Sequence, residues 1–76
     1  MVYTIAFDAT QMDEYQRGLA SGVMYMATGM PEQTFAWARS HDKTQWFKTL
    51  ECTEEQLKAV VEVINHILPD VIVGVS

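Results

Sequence analysis

Apolar and polar positions change period along the chain, and each change marks an element. Over residues 2–7, Tyr3, Ile5 and Phe7 alternate with Thr4 and Ala6, a period of two that predicts a strand buried on both sides. From about Gln11 to Thr28 the period lengthens. Met12, Tyr15, Leu19, Val23 and Met26 recur at helical spacing and predict one shared apolar face, with Met26 in the core and Met24 and Tyr25 outside it. Asp8 and Thr10 stand ahead of this helix as candidate caps, and Thr10-x-x-Asp13 resembles a capping box with Asp in place of Glu. Gly29 suits the helix C-cap, and Pro31 forbids continuation. Gly18 and Gly22 each weaken the helix by about 1 kcal/mol relative to Ala, so a strand over residues 23–27 is the rival reading.

Residues 34–39 and 44–50 are rich in Thr, Phe and Trp and predict a hairpin. Ser40-His41-Asp42-Lys43 forms its polar turn. With no glycine to build a two-residue turn, the loop should hold about four residues. Thr53-Glu54-Glu55-Gln56 is a capping box, with two carboxylates where the helix dipole favours negative charge. Leu57, Val60, Val61, Ile64, Ile67 and Leu68 continue it as an apolar stripe that Pro69 ends. Residues 71–75 are a β-branched run, interrupted by Gly74, and predict a last strand.

This order implies an α+β fold. The natural solution is a two-layer sandwich of βαββαβ, ferredoxin-like topology, with both helices on one face of a four-stranded antiparallel sheet of order 4-1-3-2. With 76 residues the chain makes one small domain, residues 1–76, and its core is modest. The other sheet face has no cover.

The aromatic residues point to that uncovered face. Trp46 and Phe47 are adjacent on one strand, so one of them must leave the helix side. Phe35, Trp37 and Arg39 share one face of their strand, while Ala36 and Ala38 share the other. If the alanines admit a helix, Phe35 and Trp37 face outward, and an open sheet with two or three large rings is a contact surface.

The charge adds a second candidate. Ten Asp and Glu against five Lys and Arg give a net charge of −5. The basic residues are scattered, which argues against phosphate-backbone binding, while an acidic surface suits a basic protein partner. Reading the first and third strands as parallel neighbours gathers Asp8, Asp13 and Glu14 with Glu51, Glu54 and Glu55 along one acidic edge.

Candidates for chemistry are weak. Cys52 is the single cysteine and lies among carboxylates that oppose a thiolate, so it reads as a small core residue, and the fold needs no oxidising compartment. His41 beside Asp42 reads as a solvated turn, and His66 as a partner of its helix dipole. Two distant histidines make no metal-ligand set. No apolar run approaches the roughly 20 residues needed to span a bilayer, and the amino terminus reads as a strand and not as a signal peptide.

Families that share the topology carry residues this chain lacks. Metallochaperones have Cys-x-x-Cys after the first strand, where Asp8-Ala9-Thr10-Gln11 stands here. Acylphosphatases have a phosphate-cradling Arg in that loop, and the first Arg here is Arg17. Amino-acid-binding regulatory domains of the ACT type favour Gly there, which is also missing.

The expectation is therefore a non-enzymatic, cytoplasmic protein-interaction module, a small acidic regulator or inhibitor without a cofactor. Its binding residues would be Phe35, Trp37, Trp46, Tyr25, Asp8, Asp13, Glu14, Glu54 and Glu55. The most specific version is a phage-encoded inhibitor, acting in the host cytoplasm, that blocks a basic nucleic-acid-binding surface of a host defence protein. Self-association through the open sheet face is compatible with it. The alternative is a homodimeric small-ligand-binding domain with a pocket between the sheet and Tyr15, Tyr25 or Trp46.

Overall fold

A computed structural model describes residues 1–29 and 37–76. Phe35 and the first residues of the expected second strand lie outside the described residues. Among the described residues the order is β1 (Val2–Asp8), α1 (Glu14–Thr28), β2 (Ala38–Arg39), β3 (Gln45–Glu51), α2 (Glu54–Ile67) and β4 (Ile72–Val75). They form the expected four-stranded sheet, order β2-β3-β1-β4, with β1 and β3 central and every pair antiparallel.

Local chemistry accounts for the element ends. Asp8 does not cap α1. Its carboxylate accepts from the amide and hydroxyl of Thr10 and closes a single 3-10 turn over Ala9–Gln11. Those hydrogen bonds hold the Asp8 carboxyl below its ordinary pKa. The α1 capping box lies three residues beyond the expected one. Asp13 accepts from the Gln16 amide at 2.8 Å, and the Gln16 side chain accepts from the Asp13 amide at 2.9 Å. Residues 23–27 are helical, and Gly29 ends the helix in the left-handed region, φ 71°. The Thr53–Gln56 box opens α2 as expected.

The hairpin loop is organised by Asp42. Its carboxylate accepts from the Ser40 hydroxyl, the Thr44 hydroxyl and the Thr44 amide. These bonds, that from Ser40 foremost, lower its pKa to about 2. Lys43 takes a left-handed conformation, φ 64°, in the same loop, so the chain turns without glycine.

One expected strand direction is wrong, and the topology explains why. The hairpin makes β3 run against β2, and the crossover through α1 makes β2 parallel to β1. Lying between them, β3 must be antiparallel to β1. The register pairs Asp8 with Gln45 and Val2 with Glu51. Asp8, Asp13 and Glu14 therefore sit at one end of the sheet and Glu51, Glu54 and Glu55 at the other. The single acidic edge does not form.

The core lies between sheet and helices. Ile5, Phe7 and Leu50 enter it from the central strands, Leu57, Val60 and Ile64 from α2, and Ala20 and Met24 from α1. Lys48 also faces the helices, paired across β1 with Ile5, and is 1% exposed. Burial pushes its ammonium below its ordinary pKa, and its Nζ lies 5.2 Å from the centre of the Trp37 ring.

Candidate functional site

The open sheet face is not where the indoles are. Strand alternation places Thr4, Ala6, Phe47, Thr49 and Ala38 on that face, with the Thr4 and Thr49 hydroxyls 3.3 Å apart. Trp46 lies opposite Phe7 in the register and so faces the helices. Trp37 packs edge-on against Phe7 at 5.2 Å and against Trp46 at 6.4 Å, and its indole N–H donates to the Ser21 hydroxyl on α1 at 3.2 Å. The guanidinium groups of Arg17 and Arg39 lie over Trp46, 4.3 and 4.9 Å from the ring centre.

The sheet-face placement of Trp37 and Trp46 is thereby overturned. The reason is complementarity between layers. On its sheet side α1 presents Ala20 and Ser21, and large rings from the sheet fill the space those small side chains leave. Phe47 is the large aromatic that the open face carries among the described residues.

What the sheet lacks, the outer side of the helices has. The expected α1 face is largely inverted. Met24 is fully buried, whereas Met26 is 84% and Tyr15 74% exposed. Leu19 and Tyr25 are also exposed, the latter as expected from the sequence. Glu14 and Arg17 are the charged residues of α1: Glu14 stands at its first residue, and Arg17 is turned toward Trp46. The solvent side of the helix is therefore apolar from Tyr15 to Met26. Across a shallow furrow, α2 contributes Ala59, Val63 and Ile67.

Two open hollows run along this furrow. One, of about 460 Å³, is lined by Tyr15, Gly18, Leu19, Gly22, Val23 and Ile67 among others. The other, of about 280 Å³, lies between Ala27 and Ala59 and shares Val23 and Met26 with the first. The glycines make the first hollow. A Cβ built on Gly18 or Gly22 would meet nothing within 4 Å, so both face open space and neither is needed for packing inside the domain. Tyr15 thus lines an exterior furrow and not a pocket against the sheet.

The other candidates take structural places. The Asp42 carboxylate is committed to the turn, leaving exposed His41 beside a capping group and not a proton relay. Cys52 is buried and free, and burial pushes its thiol pKa up, opposite to activation. Glu54 pairs with Lys58 at 3.7 Å on the exposed side of α2, with Glu55 beside it on the surface. Among the described residues no three His, Cys, Asp or Glu side chains cluster to hold a metal ion, and no helix is long and apolar enough to cross a membrane.

No protein-family model matches the chain, and no curated protein or solved structure matches it. The sequence carried a signal for the furrow that periodicity obscured. The absence of charge between Arg17 and Thr28 means that α1 has no polar face to give to solvent.

Proposed function

We propose that the chain is a non-enzymatic protein-interaction module that binds through the outer face of its two helices. The observation that supports this reading is the apolar solvent side of α1, with Tyr15 and Met26 projecting from it. Exposing such side chains contiguously leaves apolar area in water that burial would stabilise by roughly 25 cal/mol per Å². Contiguous patches of this kind mark contact surfaces. Tyr25 belongs to the margin of this surface, whereas Trp37 and Trp46 act indirectly by holding α1 in place from below. Action in the cytoplasm remains part of the proposal, on the ground that one free cysteine needs no oxidising compartment. An inhibitor of a basic surface draws on the net charge of −5 alone, since the carboxylates are divided between two ends.

A photo-crosslinking residue, p-benzoylphenylalanine, introduced at position 26 in expressing cells tests the reading. Illumination should yield adducts with protein, and the same residue at position 49 on the open sheet face should yield few. No adduct from position 26, or equal adducts from both positions, would remove the proposal.

A further inference from the structure

We infer that the occupant of the helical face is a second copy of this chain, packed α1 against α1 in antiparallel orientation with Gly22 at the crossing point. The inference rests on the interaction-module reading and names its partner. Its first support is area. Tyr15, Leu19, Tyr25, Met26, Val63 and Ile67 together expose the equivalent of roughly three whole side chains, or on the order of 500–700 Å² at the sizes typical of large residues. Two copies would then bury roughly 1,000–1,400 Å² in total, which reaches the ~1,000 Å² that a specific interface needs.

The second support is shape. A two-fold interface must be complementary to itself: where one residue meets another, the reverse contact also occurs. The α1 face has projections and hollows at matching intervals. With Gly22 opposite Gly22, Met26 of each copy falls opposite Gly18 of the other. The most exposed large apolar side chain of the helix then enters a hollow that exists because Gly18 has no side chain. At the crossing, the missing Cβ atoms let the two backbones approach closely. Glu14 also lines this hollow; in the same register it falls opposite a position past the end of the other copy's α1, so its carboxylate borders the contact at the rim.

The interface is apolar while each copy carries −5, so the two charges repel at long range and salt screens that repulsion. Dimerisation should therefore hold or tighten as salt rises. Seating of a basic helix would instead weaken under the same change.

Sedimentation equilibrium of the full chain tests the inference, from micromolar to several hundred micromolar, at low and high salt. The expected result is twice the 8.6 kDa chain mass, undiminished by salt. Gly22→Lys and Met26→Glu should each return the mass to that of one chain. Both sites face open space in the monomer, so the far-UV circular dichroism of each variant should match wild type. Met26→Ser is the milder variant should either fail to fold, and it should weaken the dimer at least tenfold. Phe47→Glu on the open sheet face should leave the dimer intact. A wild-type mass of one chain at every concentration, a dimer that survives both Gly22→Lys and Met26→Glu, or one lost on raising salt would overturn the inference. A monomer whose position-26 adduct is a different protein overturns the dimer and leaves the interaction surface standing. No adduct at all removes both.

Discussion

The two halves of the molecule are held by different chemistry. Toward α2 the core is aliphatic: Leu57, Val60, Ile64 and Leu68 share the core cluster with Ile5, Leu50 and Val71. Under α1 it is built of rings and cations. Trp37 and Trp46 fill the space, Arg17 and Arg39 cover Trp46, and Lys48 lies beside Trp37. The aliphatic half spends most of its large apolar residues inward, Val63 and Ile67 excepted, and leaves Glu54, Glu55, Lys58 and Glu62 for water. The aromatic half receives its bulk from the sheet, so α1 needs only Ala20 and Met24 fully inside and has apolar residues left over. The unpartnered surface follows from that division. Over the large rings of the sheet α1 is small at Ala20 and Ser21, with Met24 its one large fully buried side chain, and Tyr15, Leu19, Tyr25 and Met26 lie outward.

Truncations on the two helices give the largest effects and the sharpest contrast. Ile64→Ala should destabilise the domain by about 2–5 kcal/mol, since a fully buried side chain leaves a cavity. Met24→Ala should fall in the same range of about 2–5 kcal/mol. Met26→Ala, two residues away and exposed, should change monomer stability by less than about 0.5 kcal/mol. Urea unfolding at a concentration low enough to hold the monomer measures all three. Equal losses for Met24→Ala and Met26→Ala would mean that α1 is rotated about its axis from the orientation described.

The same contrast explains how far the sequence could be read. In α2 the signals agree: the Thr53–Gln56 box, the apolar stripe from Leu57 to Leu68 and the stop at Pro69 all mark one orientation, and the structure keeps it except at Ile67, which the stripe expected inside and which is 42% exposed on the outer furrow. The element order and sheet order were legible for a related reason, because strand period and right-handed crossover leave few alternatives. In α1 the apolar residues run nearly all around the helix, so helical spacing selects more than one stripe. Met12, Tyr15, Leu19, Val23 and Met26 form a regular series, yet Ala20 and Met24 are the α1 residues fully inside. The capping box starting at Asp13 would have fixed the helix start, but not its rotation. That depends on Trp37 reaching Ser21, a contact between residues 16 apart in the chain. The sheet-face expectation failed on the same point. Trp46 and Phe47 must face opposite ways, and only the demand of α1 for bulk beneath it decides which ring goes in.

Smaller effects, of opposite sign, are expected at the glycines. Gly18→Ala and Gly22→Ala should each stabilise the monomer by about 0.5–1 kcal/mol, because alanine favours the helix and its methyl meets no atom within 4 Å. Chemical denaturation of the monomer reads the gain. No equivalent gain is available in α2, which contains no glycine. A loss at either position would show that the hollow is filled from within the domain. In the proposed dimer Gly22→Ala acts twice, raising monomer stability while lowering self-affinity, so the two measurements should move in opposite directions.

The smallest effect is a slope and not a step, and it separates the two cores by pH. Lys48 is nearly enclosed in the aromatic half, and its ammonium is held below its ordinary pKa by lost hydration. The unfolded chain then binds this proton more tightly than the folded one. Between the folded pKa and the ordinary lysine value of about 10.4 the unfolded state carries more protons, so stability rises with pH across that window. Below it the cost of the buried charge is constant. Cys52 works the other way: its raised thiol pKa means that stability falls once pH passes the ordinary thiol value of about 8.5. Subtracting Lys48→Met from wild type at each pH cancels the cysteine and isolates the lysine. The difference should favour Lys48→Met most at neutral pH and shrink as pH climbs toward 10. A difference that stays flat would mean that the ammonium is hydrated where it sits, and that the ring-lined half of the core admits the water that the aliphatic half excludes.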